Sequence, residues 1–200
     1  KIQQFIAERT LMLASISHDL RAPLTRIRLR CEFIEDIDQQ RKLIRDTDEM
    51  QSMINSALGF FRDETLREQA TSFDLSELLQ TVIDDYSDQG IDVVFSGPAH
   101  LVYFGRPVGI KRMTANLLEN AVKYARHPRI ELINGQTSVC IEVSDEGPGI
   151  ADSELENVFV PFFRLEPSRN RDSGGVGLGL SSARAIARQH GGELLLRNRM

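Results

Sequence analysis

From residue 13 to residue 34 the apolar side chains return in steps of three and four: Leu13, Ile16, Leu20, Leu24, Ile27, Cys31, Ile34. That spacing is a helical seam close to a heptad repeat, and it predicts one long helix from Lys1 to about Glu35. A polar break, Asp36–Gln40, precedes a second seam of Leu43, Thr47, Met50, Ile54, Ala57 and Phe61. Two helices with a short connection form an antiparallel hairpin. A hairpin of about 65 residues cannot bury both apolar stripes alone. Two hairpins paired into a four-helix bundle would bury them, so a homodimer is expected.

The periodicity changes near Ala70. Phe73-Asp74-Leu75-Ser76-Glu77 reads as a helix start, with Asp74 as N-cap and Glu77 as its capping-box partner, and the helix runs to about Ser87. Short β-rich runs follow at Ile91–Phe95, Leu101–Phe104, Arg129–Ile133 and Val139–Val143, with a helix over Pro107–Tyr124 among them. A last helix over Leu180–His190 leads into a strand at Glu193–Arg197. Strands mixed with long helices point to an α/β sandwich rather than a second bundle, with the domain boundary near 66–72.

The 200 residues are 41% hydrophobic and 26% charged, in the globular range. A net charge of −5 argues against a nucleic-acid binder working through a large basic surface. No apolar run approaches the roughly 20 residues that span a bilayer, and KIQQFIAERT is too polar for a signal peptide. Cys31 and Cys140 stand far apart among apolar neighbours, which reads as two buried reduced thiols. Residue 1 already lies in a helical pattern, and LLLRNRM stops just after an expected strand. The chain therefore reads as a fragment of a longer protein, without its last strand.

His18 lies roughly 160° from the seam at about 100° per residue, so it is not a core histidine of its helix. Its neighbours Ser17, Asp19 and Arg21 are polar, and Pro23 should kink the helix nearby. Asp19 could accept a proton from one ring nitrogen and leave the other free to attack. The bland alternative is a solvated surface histidine.

A second constellation is spread over the last half. Asn116 and Asn120 share a helix face at i and i+4, and Lys123 and Tyr124 continue or flank it. Asparagine oxygens suit magnesium, a lysine suits phosphate, and a tyrosine ring suits a base. Asp145-Glu146-Gly147-Pro148-Gly149 makes a tight turn after a strand, where an aspartate could accept a hydrogen bond from an exocyclic amine. Gly174-Gly175-Val176-Gly177-Leu178-Gly179 precedes the last helix, a place where backbone N–H groups can approach phosphates. It is neither a Walker loop nor a Rossmann fingerprint. Between the glycine motifs, Ala151–Ser173 is long and charged with an apolar cluster of Phe159, Pro161, Phe162 and Phe163, the composition of a lid or binding loop.

Taken together and in this order, these residues resemble a sensor histidine kinase. SISHDLRAPLTRIRLR is similar to that family's H-box, and to its EnvZ-like class in particular. NLLENAVKYA resembles its N-box, DEGPGI its first glycine box, FVPFFR its F-box and GGVGLGL its second glycine box. The resemblance covers essentially the whole chain. It implies an α+β protein of two domains: a helical hairpin forming a dimeric four-helix bundle over 1–68, and an α/β sandwich ATP-binding domain of the Bergerat type over 69–200. It implies ATP and Mg2+ as cofactors, a homodimer, and an OmpR-like response regulator receiver domain as partner. It further implies the cytoplasmic portion of a bacterial inner-membrane protein, joined to the membrane only through upstream segments. By position, His18 would be the phosphoacceptor and Asp19 its proton acceptor. Asn120 would hold magnesium with Asn116 nearby, Lys123 would meet phosphate, Tyr124 the base and Asp145 the adenine amine. Gly147, Gly149, Gly175, Gly177 and Gly179 would shape pocket and lid, and Arg164 would reach the γ-phosphate.

Hydrolytic relatives such as gyrase, Hsp90 and MutL carry a water-activating glutamate where this chain has Asn116, and asparagine cannot be a general base. Transfer to His18 is thus expected over hydrolysis, with a non-catalytic dimeric nucleotide-binding scaffold as the alternative. Four residues after His18 the nearest relatives of the family carry threonine or asparagine to position a water. Ala22 has no donor or acceptor there, so phosphatase activity toward the regulator is expected to be weak.

Overall fold

A computed structural model describes residues 19–63, 68–165 and 177–198. Two compact units divide between Arg67 and Glu68, except that residues 177–178 group with the first. No helix among the described residues is long and apolar enough to cross a membrane.

The first unit is a pair of helices, α1, helical over 19–31, and α2, Ile37–Asp63. The turn between them falls earlier than the expected break at Asp36–Gln40, and α1 stops short of Glu35. Asp36 causes this. Its Oδ1 accepts from Asp38 N at 3.0 Å and Gln39 N at 3.1 Å, an N-cap that starts α2 at once. Gln40 Nε2 donates to Cys31 O at 3.0 Å and closes the end of α1. Arg28 and Asp48 join the helices at 2.8 Å. Leu24, Cys31 and Thr47 are buried, whereas Leu20, Ile27, Leu43 and Met50 of the same seams are exposed. Within one chain the seams are half covered. Leu13, Ile16 and His18 lie outside the described residues, as do the side chains of Ala57 and Phe61.

The second unit places helices against one face of a sheet. Its elements are β1 (Thr71–Asp74), α3 (Leu75–Ser87), β2 (Val94–Ser96), β3 (Val102–Gly105), α4 (Pro107–Tyr124), β4 (Arg129–Asn134), β5 (Val139–Ser144) and α5 (Gly179–Gln189). Two 3-10 turns, Asp152–Glu154 and Asn157–Phe159, precede α5. β1 pairs antiparallel with β3, and a separate sheet runs β2-β4-β5. β2 is parallel to β4, an arrangement that requires a crossover, and α4 lies in it. β4 and β5 are antiparallel, with Ile130 opposite Val143 and Leu132 opposite Ile141. Ile130 and Leu132 point inward and meet Leu75, Leu79 and Ile83 of α3 and Ile110 and Leu118 of α4 in one core.

Asp74 caps α3 as expected: its Oδ1 accepts from Ser76 N at 2.9 Å and Glu77 N at 3.3 Å. Leu101 N at 3.2 Å and His100 Nδ1 at 2.8 Å also bond its carboxylate. The His100 bond is the largest effect holding the Asp74 carboxyl below its ordinary value of 3.8; burial, the next largest, opposes it, and the backbone bonds from Leu101, Glu77 and Ser76 add to the lowering. Among the described residues Glu77 returns no bond to Asp74, whose backbone is committed to β1.

Two expectations are corrected, and one strand is unforeseen. Thr71–Asp74 is a strand that no run of β-formers announces; its pairing with β3 creates it. Glu193–Arg197 forms no ladder. Side chains fix that segment instead: Glu193 bonds Arg184 and Arg188, Arg197 bonds Glu142 on β5, and Asn198 bonds Ile150. Cys140 is exposed. In the β4–β5 register it stands opposite exposed Ile133, on the outer face of a sheet whose other face holds the core.

Candidate active site

α4 is packed on two sides. Ile110, Thr114, Leu118 and Ala121 face the core. The opposite flank carries Arg112, Asn116 and Asn120 at successive i+4 steps, all partly buried, and α5 packs along it. Arg112 Nη2 reaches Ser182 Oγ of α5 at 3.4 Å, and burial pulls the guanidinium below its ordinary range. Sequence reasoning missed Arg112; its place one turn before Asn116 was the available signal.

One helical turn further on, α5 begins at Gly179, against the two asparagines. A side chain at Gly179 would stand 3.7 Å from Asn120 Nδ2 and 3.9 Å from Asn116 Cβ and O. Glycine therefore leaves open a space one side chain deep, at a helix N-terminus, in front of the Asn120 amide nitrogen and beside the Cβ and backbone carbonyl of Asn116. Asn120 Nδ2 is buried and has no hydrogen-bond partner among the described residues. A buried amide left unpaired costs about 1–3 kcal/mol, so this one is set to receive a ligand or water.

The Asp145 turn abuts the far end of α4. Asp145 Oδ1 accepts from Gly147 N at 2.9 Å, and Glu146 N donates to Arg126 O at 2.9 Å. A side chain at Gly147 would strike Ala125 Cβ at 2.9 Å and sit 3.5 Å from Tyr124 O, so only glycine brings the turn this close. Asp145 is exposed, and its second carboxylate oxygen has no partner among the described residues. Tyr124 is half exposed, with Lys123 Nζ 5.4 Å from its ring centroid. Asn116, Asn120, Gly179, Tyr124 and the Asp145–Gly147 turn thus line one flank and end of α4.

Gly149 has a φ of +73° and Gly177 of +74°, both left-handed and suited to glycine. The stretch after the turn is pinned to α5 by Arg184, which bonds Glu156 at 2.9 Å and lies 4.5 Å over the Phe159 ring. Phe159 is buried, Phe162 exposed and Arg164 partly buried. Asp19 is exposed on α1. His18 and Gly175 lie outside the described residues.

A helix bearing two inward asparagines, capped at one end by an aspartate–glycine turn and met along its flank by a glycine-started helix, defines a nucleotide-binding domain of the ATPase type. Residues 105–200 match the family described as histidine kinase-, DNA gyrase B-, and HSP90-like ATPase. Residues 8–66 match the His Kinase A (phospho-acceptor) domain. The sensor histidine kinase GtrS of Pseudomonas aeruginosa is 42% identical over 200 residues, all of this chain and 41% of that protein. Sensor protein RstB of Escherichia coli is 34% identical over 202 residues, 96% of this chain and 46% of its own length. The catalytic domain of histidine kinase ThkA aligns with a TM-score of 0.58 at 28% identity, over 66% of this chain and 89% of that one. Full-length ShkA, solved in complex with AMPPNP, shares the fold at a TM-score of 0.69 and 21% identity, over 90% of this chain and 41% of its own. The chain belongs to the sensor histidine kinases, and it spans less than half the length of the curated relatives it matches.

Proposed function

We propose that this chain is the kinase core of a two-component sensor: it transfers the γ-phosphoryl group of ATP to His18 and then to an aspartate of a response regulator. The observation that carries the reading is the space in front of Asn120, an unpaired buried amide facing a glycine at a helix N-terminus. Positive potential from that N-terminus favours phosphate there. Asp145 and Tyr124, at the C-terminal end of α4, take the base, the aspartate accepting from its exocyclic amine. Lys123 meets phosphate charge, and Arg164 meets the charge that develops on the γ-phosphate. Gly147, Gly149, Gly175, Gly177 and Gly179 shape the pocket and its lid.

The orphaned Asn120 Nδ2 is a donor suited to a phosphate or water oxygen, while the oxygen of the same amide suits a magnesium ion, a hard cation that takes oxygen ligands and keeps several waters. Asn120 would hold it through the amide oxygen with Asn116 nearby, and the ion supplies neutralisation of phosphate charge. An imidazole nitrogen of His18 forms the new N–P bond as the Pγ–O bond to ADP breaks, and Asp19 accepts the proton from the other ring nitrogen. Asn116 offers no general base, so water is not activated in competition with His18.

In this reading residues 1–68 are the dimerisation and phosphotransfer hairpin and 69–200 the catalytic domain. The exposed seam residues Leu20, Ile27, Leu43 and Met50 are covered by a second copy in a four-helix bundle. The partner is an OmpR-like receiver domain, and the chain is the cytoplasmic part of an inner-membrane protein. Incubation with γ-labelled ATP tests the proposal. Acid-labile label on the wild type, absent from His18→Gln while nucleotide binding persists, is expected. Labelled His18→Gln would refute the assignment of His18, and rapid free phosphate without labelled protein would point to a hydrolase.

A further inference from the structure

The N-cap of α4 is Arg106, whose side chain makes no capping bond. The cap comes instead from Glu68, the first residue of the second unit. Its Oε1 accepts from Val108 N at 2.8 Å and its Oε2 from Gly109 N at 3.0 Å. Both carboxylate oxygens therefore satisfy amides of the first helical turn, which have no partner within the helix. The Glu68 carbonyl accepts from Arg106 Nε at 2.9 Å, and Arg106 Nη1 donates to Gln189 O at the end of α5, at 3.0 Å. Arg106 N donates to His190 Nε2 at 3.0 Å, and His190 Nδ1 lies 2.8 Å from Ile186 O. One carboxylate, one guanidinium and one imidazole thus tie three things together: the start of the unit, the start of α4 and the end of α5.

The opposite end of the same helix pair is the nucleotide site. α4 and α5 are antiparallel neighbours, since Gly109 lies beside Ile186 and His190 while Asn116 and Asn120 lie beside Gly179. From Gly109 to the two asparagines is about 10–17 Å along a helix at about 1.5 Å per residue. Helices are stiff over that length, so a shift of α4 against α5 at the clamp reappears at the asparagines.

We propose that Glu68 is a positioning residue for the nucleotide: by capping α4 from the interdomain connection, it sets α4 against α5 and so the fit of Asn116 and Asn120 to the Gly179 turn. This rests on the nucleotide site proposed above. A conventional cap sits next to its own helix and steadies that helix alone. Glu68 holds α4 by its carboxylate and, through its carbonyl and Arg106, α5 as well.

The test uses the intact chain with magnesium and a fluorescent ATP analogue, comparing wild type, Glu68→Ala and Glu68→Gln. Glu68→Ala is expected to weaken binding on the order of 3–10-fold, as loss of a cap transmitted to the site would. The KM for ATP in autophosphorylation should rise with it, while kcat at saturating ATP stays at the wild-type value. Glu68→Gln keeps one acceptor oxygen and should recover part, not all, of the affinity. A Glu68→Ala chain that is less stable yet binds and turns over ATP with wild-type affinity and KM overturns the proposal. If Glu68→Ala does not fold, Glu68→Gln decides, and wild-type affinity in that variant overturns it. A wild type that does not bind the analogue defeats the nucleotide site as a whole. Binding by wild type that neither variant alters defeats this inference alone.

Discussion

Substitution of Gly149 by alanine should be costly for two separable reasons. The residue sits at a φ of +73°, where a side chain costs about 1–2 kcal/mol. The added Cβ would also fall 2.8 Å from Asn198 Oδ1, too close for contact. Asn198 can swing away, but only by giving up its bond from Ile150 N at 2.9 Å and its bond to Ile150 O at 2.7 Å, along with a long one to Asp152 Oδ1 at 3.3 Å. These bonds are exposed, so together they contribute about 1 kcal/mol. Gly149→Ala should then destabilise the second unit by about 2–3 kcal/mol and Asn198→Ala by about 1 kcal/mol. The double variant no longer has the clash, and the bonds can be lost only once. It should cost about 2–3 kcal/mol rather than the additive 3–4, a coupling of about 1 kcal/mol. Urea unfolding followed by tyrosine fluorescence suits the measurement: the chain has no tryptophan, and its three tyrosines, Tyr86, Tyr103 and Tyr124, all lie in the second unit. Strict additivity would show that Asn198 yields to the new methyl group at no cost, and the reasoning would fail.

Leu118, fully buried between α4 and the sheet, should cost about 2–5 kcal/mol when cut to alanine, and a loss below 1 kcal/mol in the same assay would remove it from the core's centre. Asp74 has its carboxyl lowered in the folded state, so its contribution is complete above the ordinary value of 3.8 and is lost as pH falls through the lowered one. Asp74→Asn should therefore be less stable than wild type at neutral pH, with the gap closing in acid; a gap independent of pH would contradict the pairing with His100. Ala22→Thr should speed decay of the phosphorylated regulator about 10–1000-fold, judged from the loss of one catalytic hydrogen bond, while leaving kinase activity in place. Equal decay with both proteins would show that Ala22 is no functional departure.

Local signals were legible where they were self-sufficient. Pro107 opens α4 and Tyr124 ends it at the expected residues, because proline at the first turn and an unbroken helical period suffice. Asp74 caps α3 for the same reason, and β4 and β5 each run one residue beyond their apolar alternation. Non-local partners were not legible. Thr71–Asp74 becomes a strand only because β3 lies beside it. The two oxygens that cap α4 stand forty and forty-one residues away from the amides they serve, beyond any sequence window. Cys140 has apolar neighbours on both sides, yet alternation turns it outward; neighbours in sequence share a strand but not a face. In the site, the asparagine pair and the two glycine turns could be read as motifs, whereas Arg112 carries no motif and its one signal in the sequence, a place one turn before Asn116, gains meaning only from its burial against α5.

The two thiols differ in a way that makes the chain its own reporter. Cys31, 2% exposed, sits at the end of α1, whereas Cys140 stands open on the outer face of β5. Thiol reagents attack the thiolate and need access, so one equivalent should react at Cys140 with the native chain and a second only when the packing around Cys31 opens. The native sequence thus accepts a dye on the second unit without an engineered cysteine, and the lag before the second equivalent clocks the breathing of the helical pair.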